Sequence, residues 1–270
     1  MKNSFLIFFT FLFFSCAFQS NTNAQNFSGI WKSDNAKHQF CKNLSWSAFV
    51  KEWTDLRKLG YHLNDIEVKI VRGQARYWGV LSKRTGKFGL FKLSSFSALA
   101  KKRKDLASQG VRLIDVETFV EKGKRYYVGV WEGGSYGHAL YQYNSWKQFT
   151  HKWKILDSEG YKLEDIESFV SGGKRHYLGV FKKRTGQSGL YNHSSWGASK
   201  SKWEEMTKKG YRLVDFEKSV HNGKSTYLSV YRKENGGGYY FYHGLSDAAF
   251  SKKVKDLEKK GLKLIDFDVL

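Results

Sequence analysis

A period of 50 residues runs through this chain, and few folds can accommodate it. Gly29, Gly79, Gly129, Gly179 and Ser229 are equivalent positions, as are Ser45, Ser95, Ser145 and Ser195; Ser246 comes one residue late because the turn at 235–238 carries an insertion. Gly60, Gly110, Gly160, Gly210 and Gly261 form a third series and mark the unit joints. Self-similarity at this length means a repeat array, in which a unit that cannot bury its own apolar face buries it against its neighbours.

Between each Ser and the next Gly the apolar residues recur at helical spacing, as in Trp46, Phe49, Trp53, Leu56 and Trp146, Phe149, Trp153, Leu156. The Ser is placed to cap the helix N-terminus and the Gly to sit at C′. A strand of pattern Leu-x-Asp-apolar-acid follows, carrying Asp65/Glu67, Asp115/Glu117, Asp165/Glu167, Asp215/Glu217 and Asp266/Asp268. Turns at Gly73, Gly123, Gly173 and Asn222-Gly223 then predict hairpins into a second strand, and a short third strand leads to the next helix. The fold class expected is α+β, five β-β-β-α repeats. The chain begins in mid-unit, with 27–31 as a second strand, and stops after a lone first strand at 262–270. Pairing these two pieces would complete the fifth unit, so a propeller-like ring is favoured over an open solenoid, which would leave two bare strand edges.

Residues 1–24 read as a secretory signal: Lys2, an apolar run from Phe5 to Phe14, and a polar tail ending Thr22-Asn23-Ala24, with cleavage expected after Ala24. The competing reading, a lipoprotein with Cys16 acylated, is disfavoured because Phe13-Phe14-Ser15 makes a poor lipobox. A secreted or periplasmic monomer is expected, with no transmembrane segment. One domain then spans 25–270, and Cys41 alone permits no internal disulfide. An apolar fraction of 41% with nine Trp, 16 Tyr and 21 Phe excludes a largely disordered chain, while a net charge of +21 points to a polyanionic partner.

The pattern Trp53-x-x-Leu56-x-x-x-Gly60-Tyr61-x-Leu63 with Tyr77-x-x-Val80-Leu81 after the hairpin recurs at Trp153…Gly160-Tyr161-x-Leu163…Tyr177-x-x-Val180-Phe181 and at Trp203…Gly210-Tyr211-x-Leu213…Tyr227-x-x-Val230-Tyr231. It resembles the bacterial tandem repeat domain family. Such repeats often stand beside a β-lactamase-like serine hydrolase domain, including in polyglycine hydrolases. No residues remain here for such a domain, so the resemblance implies an accessory, binding module and transfers no catalytic residue.

The residues themselves point the same way. Ser171-Gly172-Gly173-Lys174 lies on a hairpin turn and Ser199-Lys200-Ser201-Lys202 on a lysine-rich helix, neither of which supplies a buried activating lysine. His38, His138, His193 and His243 do not share a register, and no metal or cofactor is assigned. The Asp-x-Glu pair appears in all five units, which argues for a structural role such as ion pairing to the adjacent unit, ahead of a ring of cation sites and, last, catalysis. Variable turns between second and third strands on a repeating scaffold are where binding is expected. The residues assigned are Lys83, Arg84 and Lys87, with their near-copies Lys183 and Arg184, then Arg232, Lys233 and Tyr136. Trp131 joins them as a ring that could stack on a sugar. The ligand expected is an anionic polysaccharide or cell-envelope glycan held by basic turns, without catalysis. A hydrolase using the strand carboxylates and an extracellular nucleic-acid binder are the alternatives.

Overall fold

A computed structural model describes residues 25–234 and 236–270; the expected secretory signal and Cys16 fall outside the described residues. Their order begins β1 (Asn26–Ser33), β2 (His38–Leu44), α1 (Trp46–Lys58), β3 (Tyr61–Val71), β4 (Gln74–Lys83), β5 (Phe88–Leu93), α2 (Phe96–Ala107), β6 (Val111–Glu121) and β7 (Lys124–Gly133). It continues β8 (His138–Tyr143), α3 (Trp146–Ser158), β9 (Tyr161–Ser171), β10 (Lys174–Lys183), β11 (Ser188–His193), α4 (Trp196–Lys208), β12 (Tyr211–His221) and β13 (Lys224–Lys233). The last elements are β14 (Tyr239–Ser246), α5 (Asp247–Glu258) and β15 (Leu262–Val269). No helix among the described residues is long and apolar enough to cross a membrane.

The local signals act as the sequence predicts. Ser45, Ser95, Ser195 and Ser246 each accept a side-chain bond from the backbone N–H three residues on, a cap worth about 1 kcal/mol, whereas Ser145 makes no such bond. The glycines at 60, 110, 160, 210 and 261 all take positive φ, ending each helix in the left-handed conformation. At the hairpin tips Arg72-Gly73, Lys122-Gly123, Gly172-Gly173 and Asn222-Gly223 all have positive φ at both residues, the requirement of a type I′ turn.

Five separate three-stranded antiparallel sheets result, ordered β2-β4-β3, β5-β7-β6, β8-β10-β9, β11-β13-β12 and β14-β1-β15. Each repeat contributes three strands and one helix, but the sheet frame is offset from the sequence repeat. The third strand leaves the hairpin that precedes it and pairs, across the helix, with the middle strand of the next hairpin. The fifth sheet draws on both ends of the chain: β1 lies between β14 and β15, with Ile30 opposite Phe241 and Phe27 opposite Val269.

Each hairpin carries a bulge. In the first, Leu63 pairs with Leu81 and Asp65 with Val80, so Asn64 is the extra residue. Without it Leu63 and Asp65 would share a face; with it Leu63 stays beneath the helix and Asp65 turns to the preceding unit. The core divides likewise. Gly79 lies so close to Phe49 of α1 that an added Cβ would come within 2.8 Å of the ring, and Gly179 stands in the same relation to Phe149 at 2.7 Å. In the fourth unit the helix residue shrinks to the buried Ser199, and there alone the strand position holds a side chain, Ser229. The other face joins units: Val128, Val130, Leu90 and Phe119 of the second pack with Tyr77 and Val68 of the first.

Candidate functional site

The first hairpin strands pack side by side, β3 on β6, β6 on β9, β9 on β12, β12 on β15 and β15 on β3. Their carboxylates serve these seams. Asp115 Oδ2 accepts the N–H of Ile66 at 2.8 Å, Asp165 that of Val116 at 3.2 Å, Asp215 that of Ile166 at 3.1 Å and Asp65 that of Phe267 at 2.9 Å. Between β12 and β15 the partner is displaced by one pair, and Asp268 Oδ2 accepts from Lys218 N at 2.9 Å. At Asp65, Asp115, Asp165 and Asp215 the expected ion pairs are replaced by bonds to backbone amides, because the bulge beside each turns the carboxyl toward the neighbouring strand, whereas Asp268 does meet a cation of the adjacent unit, Lys69.

Burial outweighs these bonds in the carboxyls' proton affinity. Asp65 is pushed up to about 8 by burial, opposed by Phe267 N–H and reinforced by Asp268. Asp115, Asp165 and Asp215 are likewise raised well above the carboxylate range, by burial and then by one another. Glu67, Glu117, Glu167 and Glu217 lie one step further along, around a cavity of about 520 Å³. Glu67, Glu217 and Asp268 bring oxygens within 4.8 Å of one another, and the Lys69 ammonium stands 3.8 Å from Asp268, supplying positive charge to the cluster.

The turns at the opposite ends of the strands are linked to one another by ions. Glu132 binds Arg84 at 3.2 Å and Lys182 at 3.1 Å, and also receives the Tyr136 hydroxyl at 2.8 Å. Against the opposing effect of burial, Lys182, Tyr136 and Arg84 hold the Glu132 carboxyl below its ordinary range. Glu164 takes Arg232 at 2.9 Å and Arg184 at 3.2 Å, and Glu234 takes Lys32 at 2.6 Å. The turns are thus tied in two charged clusters, one around Glu132 and one in which Arg232 links Glu164 to Glu234.

The structure sorts the assigned residues into three groups. Lys83, Lys87, Lys183 and Lys233 are exposed on the turns. Arg84 and Tyr136 reach solvent only in part and are engaged with Glu132, whereas Arg184 is exposed on its turn while bound to Glu164. Trp131 and Arg232 correct the expectation. Trp131 is fully buried, edge-on to Phe91 with its ring over Gly129, because the second residue after the strand glycine shares its face, toward the unit's own helix; it offers no stacking face. Arg232 is buried at 8% exposure, drawn inward by Glu164. The turn amides are also less available than the Gly content suggests, since Arg84 N and Arg184 N donate to Gly60 O and Gly160 O at 2.9 Å. The histidines disperse onto separate partners: His38 to Asp34, His138 to Arg103 and His243 to Ser28. Ser199 is buried in its helix while Lys202 pairs with Glu205.

One feature of the turns escaped the sequence reading. Lys83 lies directly across the sheet from Tyr61, Lys183 from Tyr161 and Lys233 from Tyr211, with the ammonium 6.0, 5.4 and 5.7 Å from the ring. The second and fifth units lack both members, pairing Val111 with Gly133 and Leu262 with Ser33. The signal was the joint presence or absence of Lys and Tyr 22 residues apart. Beside the Lys183 turn a shallow depression of about 400 Å³ is lined by Gly160, Lys162, Lys183, Arg184, Thr185 and Gly186.

A search of the curated proteins finds no match. The family model described as "polyglycine hydrolase-like, structural repeat" matches five times, over residues 42–84, 95–133, 143–184, 196–234 and 236–270. The first four segments each run through a helix and the hairpin after it, the fifth holds β14, α5 and β15, and together they cover most of the chain. The chain belongs to the family of polyglycine hydrolase-like structural repeats.

Proposed function

We propose that this chain is an exported, non-enzymatic repeat module whose five units close into a propeller-like ring, and that its turn end binds an anionic polymer, an acidic polysaccharide or cell-envelope glycan. Closure is supported by β1 lying between β14 and β15 and by the run of carboxylate-to-amide bonds that ends with Phe267 N on Asp65. The observation that carries the binding reading is the thrice-repeated exposed Lys beside a Tyr on the turn end. Each exposed ammonium offers a carboxylate or sulfate its counter-charge, and the half-exposed Tyr161 and Tyr211, though not the buried Tyr61, add an apolar surface for a pyranose ring. Three such lysines on one scaffold give the avidity that a repeating polymer exploits. Asp65, Asp115, Asp165, Asp215 and Asp268, in contrast, are buried and each accepts a neighbouring amide, as a scaffold requires.

The test is binding of the mature chain to sulfated, uronic and neutral polysaccharides at two salt concentrations. Lys83→Gln, Lys183→Gln and Lys233→Gln combined should lower affinity for one acidic class at least tenfold. The same combination should leave the thermal melt in place, because these ammoniums make no ion pair among the described residues. Equal binding by the triple variant, or indiscriminate binding that salt abolishes for every polymer, overturns the assignment.

A further inference from the structure

The eighth residue after each capping serine lies on the seam with the next unit. Trp203 of α4 reaches the third strand ahead of it, donating from Nε1 to Tyr239 Oη at 3.1 Å with Phe241 at 5.6 Å. Trp53 packs into the cluster that holds Leu90, and Trp153 into the one that holds Leu190. Arg103, at the same position in α2, bonds His138 at 3.1 Å. In α5 the position is Val254, facing His38 and Phe40 of β2, the first unit's third strand.

The shorter side chain leaves room. A cavity of about 330 Å³ lies there, walled by Phe40, Val80, Val254, Leu262 and Leu264. In three of the other four units an indole occupies the corresponding seam, so these walls belong to a slot that the fold elsewhere fills with a flat aromatic ring. The polar side of the cavity is cationic. Lys42, Lys255 and Lys263 face a single carboxylate, Glu258, which is bound by Lys263 at 2.7 Å. Lys42 is held by Ser251 at 2.7 Å and by Asp247, whereas Lys255 has no carboxylate within 4.0 Å among the described residues.

We infer that the seam between α5 and β2 is a binding site for a planar aromatic ring carrying one anionic group, the ring taking the indole slot beside Val254 and the anion meeting Lys255 at the mouth. The site is independent of the turn-end lysines and does not rest on the polymer reading. Indole-3-propionate, indole and hexanoate are the probes, titrated into the mature chain with the methyl resonances of Val80, Val254 and Leu264 as readout. Indole-3-propionate is expected to shift these methyls, to bind at least tenfold more tightly than hexanoate, and to lose a further several-fold in Lys255→Ala. Val254→Trp fills the slot from within, so the expected result is at least a tenfold loss of binding with an unchanged or higher melting temperature. Val254→Met, a smaller filler, gives an intermediate loss if the tryptophan variant does not fold. Absence of methyl shifts with indole-3-propionate, equal binding of hexanoate, or undiminished binding in both Val254 variants overturns the site. Equal affinity for indole and indole-3-propionate overturns the anionic part of the assignment.

Discussion

Asp65 Oδ2 accepts the backbone N–H of Phe267 at 2.9 Å across a separation of 202 residues, and across the same seam the Lys69 ammonium stands 3.8 Å from Asp268. The last strand is also the neighbour of β1. Removing residues 262–270 therefore exposes both β1 and the seam face of β3. In a ring the whole molecule should lose cooperativity and melt at a much lower temperature; in an open array only the end should fray. Hydrogen exchange separates the outcomes: loss of protection in β6 and β9 supports closure, while loss confined to β1 and β14 contradicts it.

Stability should fall as the solution becomes alkaline. The inner carboxyls bind protons more tightly in the fold than in the unfolded chain, with Asp65 at about 8 and Glu167 at about 7 against an ordinary value near 4. Their contribution is complete below the unfolded value and is lost as pH rises through the folded one. His138 and His243, lowered to about 4 by burial first and nearby cations second, act oppositely between pH 4 and about 6.5, where rising pH favours the fold. Above about 6.5 only the carboxyls act, so the melting temperature should drop between pH 6.5 and 8.5. Asp165→Asn keeps an acceptor for Val116 N and removes one titration, which should shrink that drop. A variant with the full wild-type slope shows that Asp165 is ionised in the fold.

Two neighbouring cations on the fourth-unit turn should behave differently. Arg232→Ala removes a buried partner of Glu164, at a cost of about 3 kcal/mol, the lower end for such pairs because Arg184 remains beside the carboxylate. Lys233→Ala removes an exposed ammonium and should change stability by less than about 0.5 kcal/mol. Urea denaturation of both variants measures the contrast, and equal effects would place Arg232 at the surface.

Gly179→Ala drives a methyl to within 2.7 Å of the Phe149 ring and 2.9 Å of Leu163, an overpacking that should cost about 1–3 kcal/mol. In a Phe149→Ala background the same substitution should cost less, since the clashing ring is gone and only the Leu163 contact remains. A double-mutant cycle is expected to give a coupling of about 1–3 kcal/mol, and additive effects would show that the helix and strand do not meet there.

Caps, C′ glycines and hairpin tips were legible in the sequence because each depends on a few adjacent residues. Gly60 needs positive φ and Asn222-Gly223 needs two such residues in a row, whatever lies elsewhere. Trp131 was not legible, since its burial depends on α2 folding over Gly129. Nor was the offset between repeat and sheet: β5 follows β4 in the chain yet pairs with β7, a choice made by helix packing across the seam.

The chain's own pattern determined the number of units, their strands and helix, and the likeness of one unit to another, because a 50-residue repeat imposes the same local preferences five times. Tertiary structure alone decided which charges face water. Lys83 and Arg84 are adjacent in sequence, yet one is exposed on its turn and the other is drawn to Glu132, 48 residues away. It also decided that Asp65 serves a backbone amide rather than a cation. One bulged residue, Asn64, rotates that side chain toward β15, and only the assembled seam brings the Phe267 N–H to meet it.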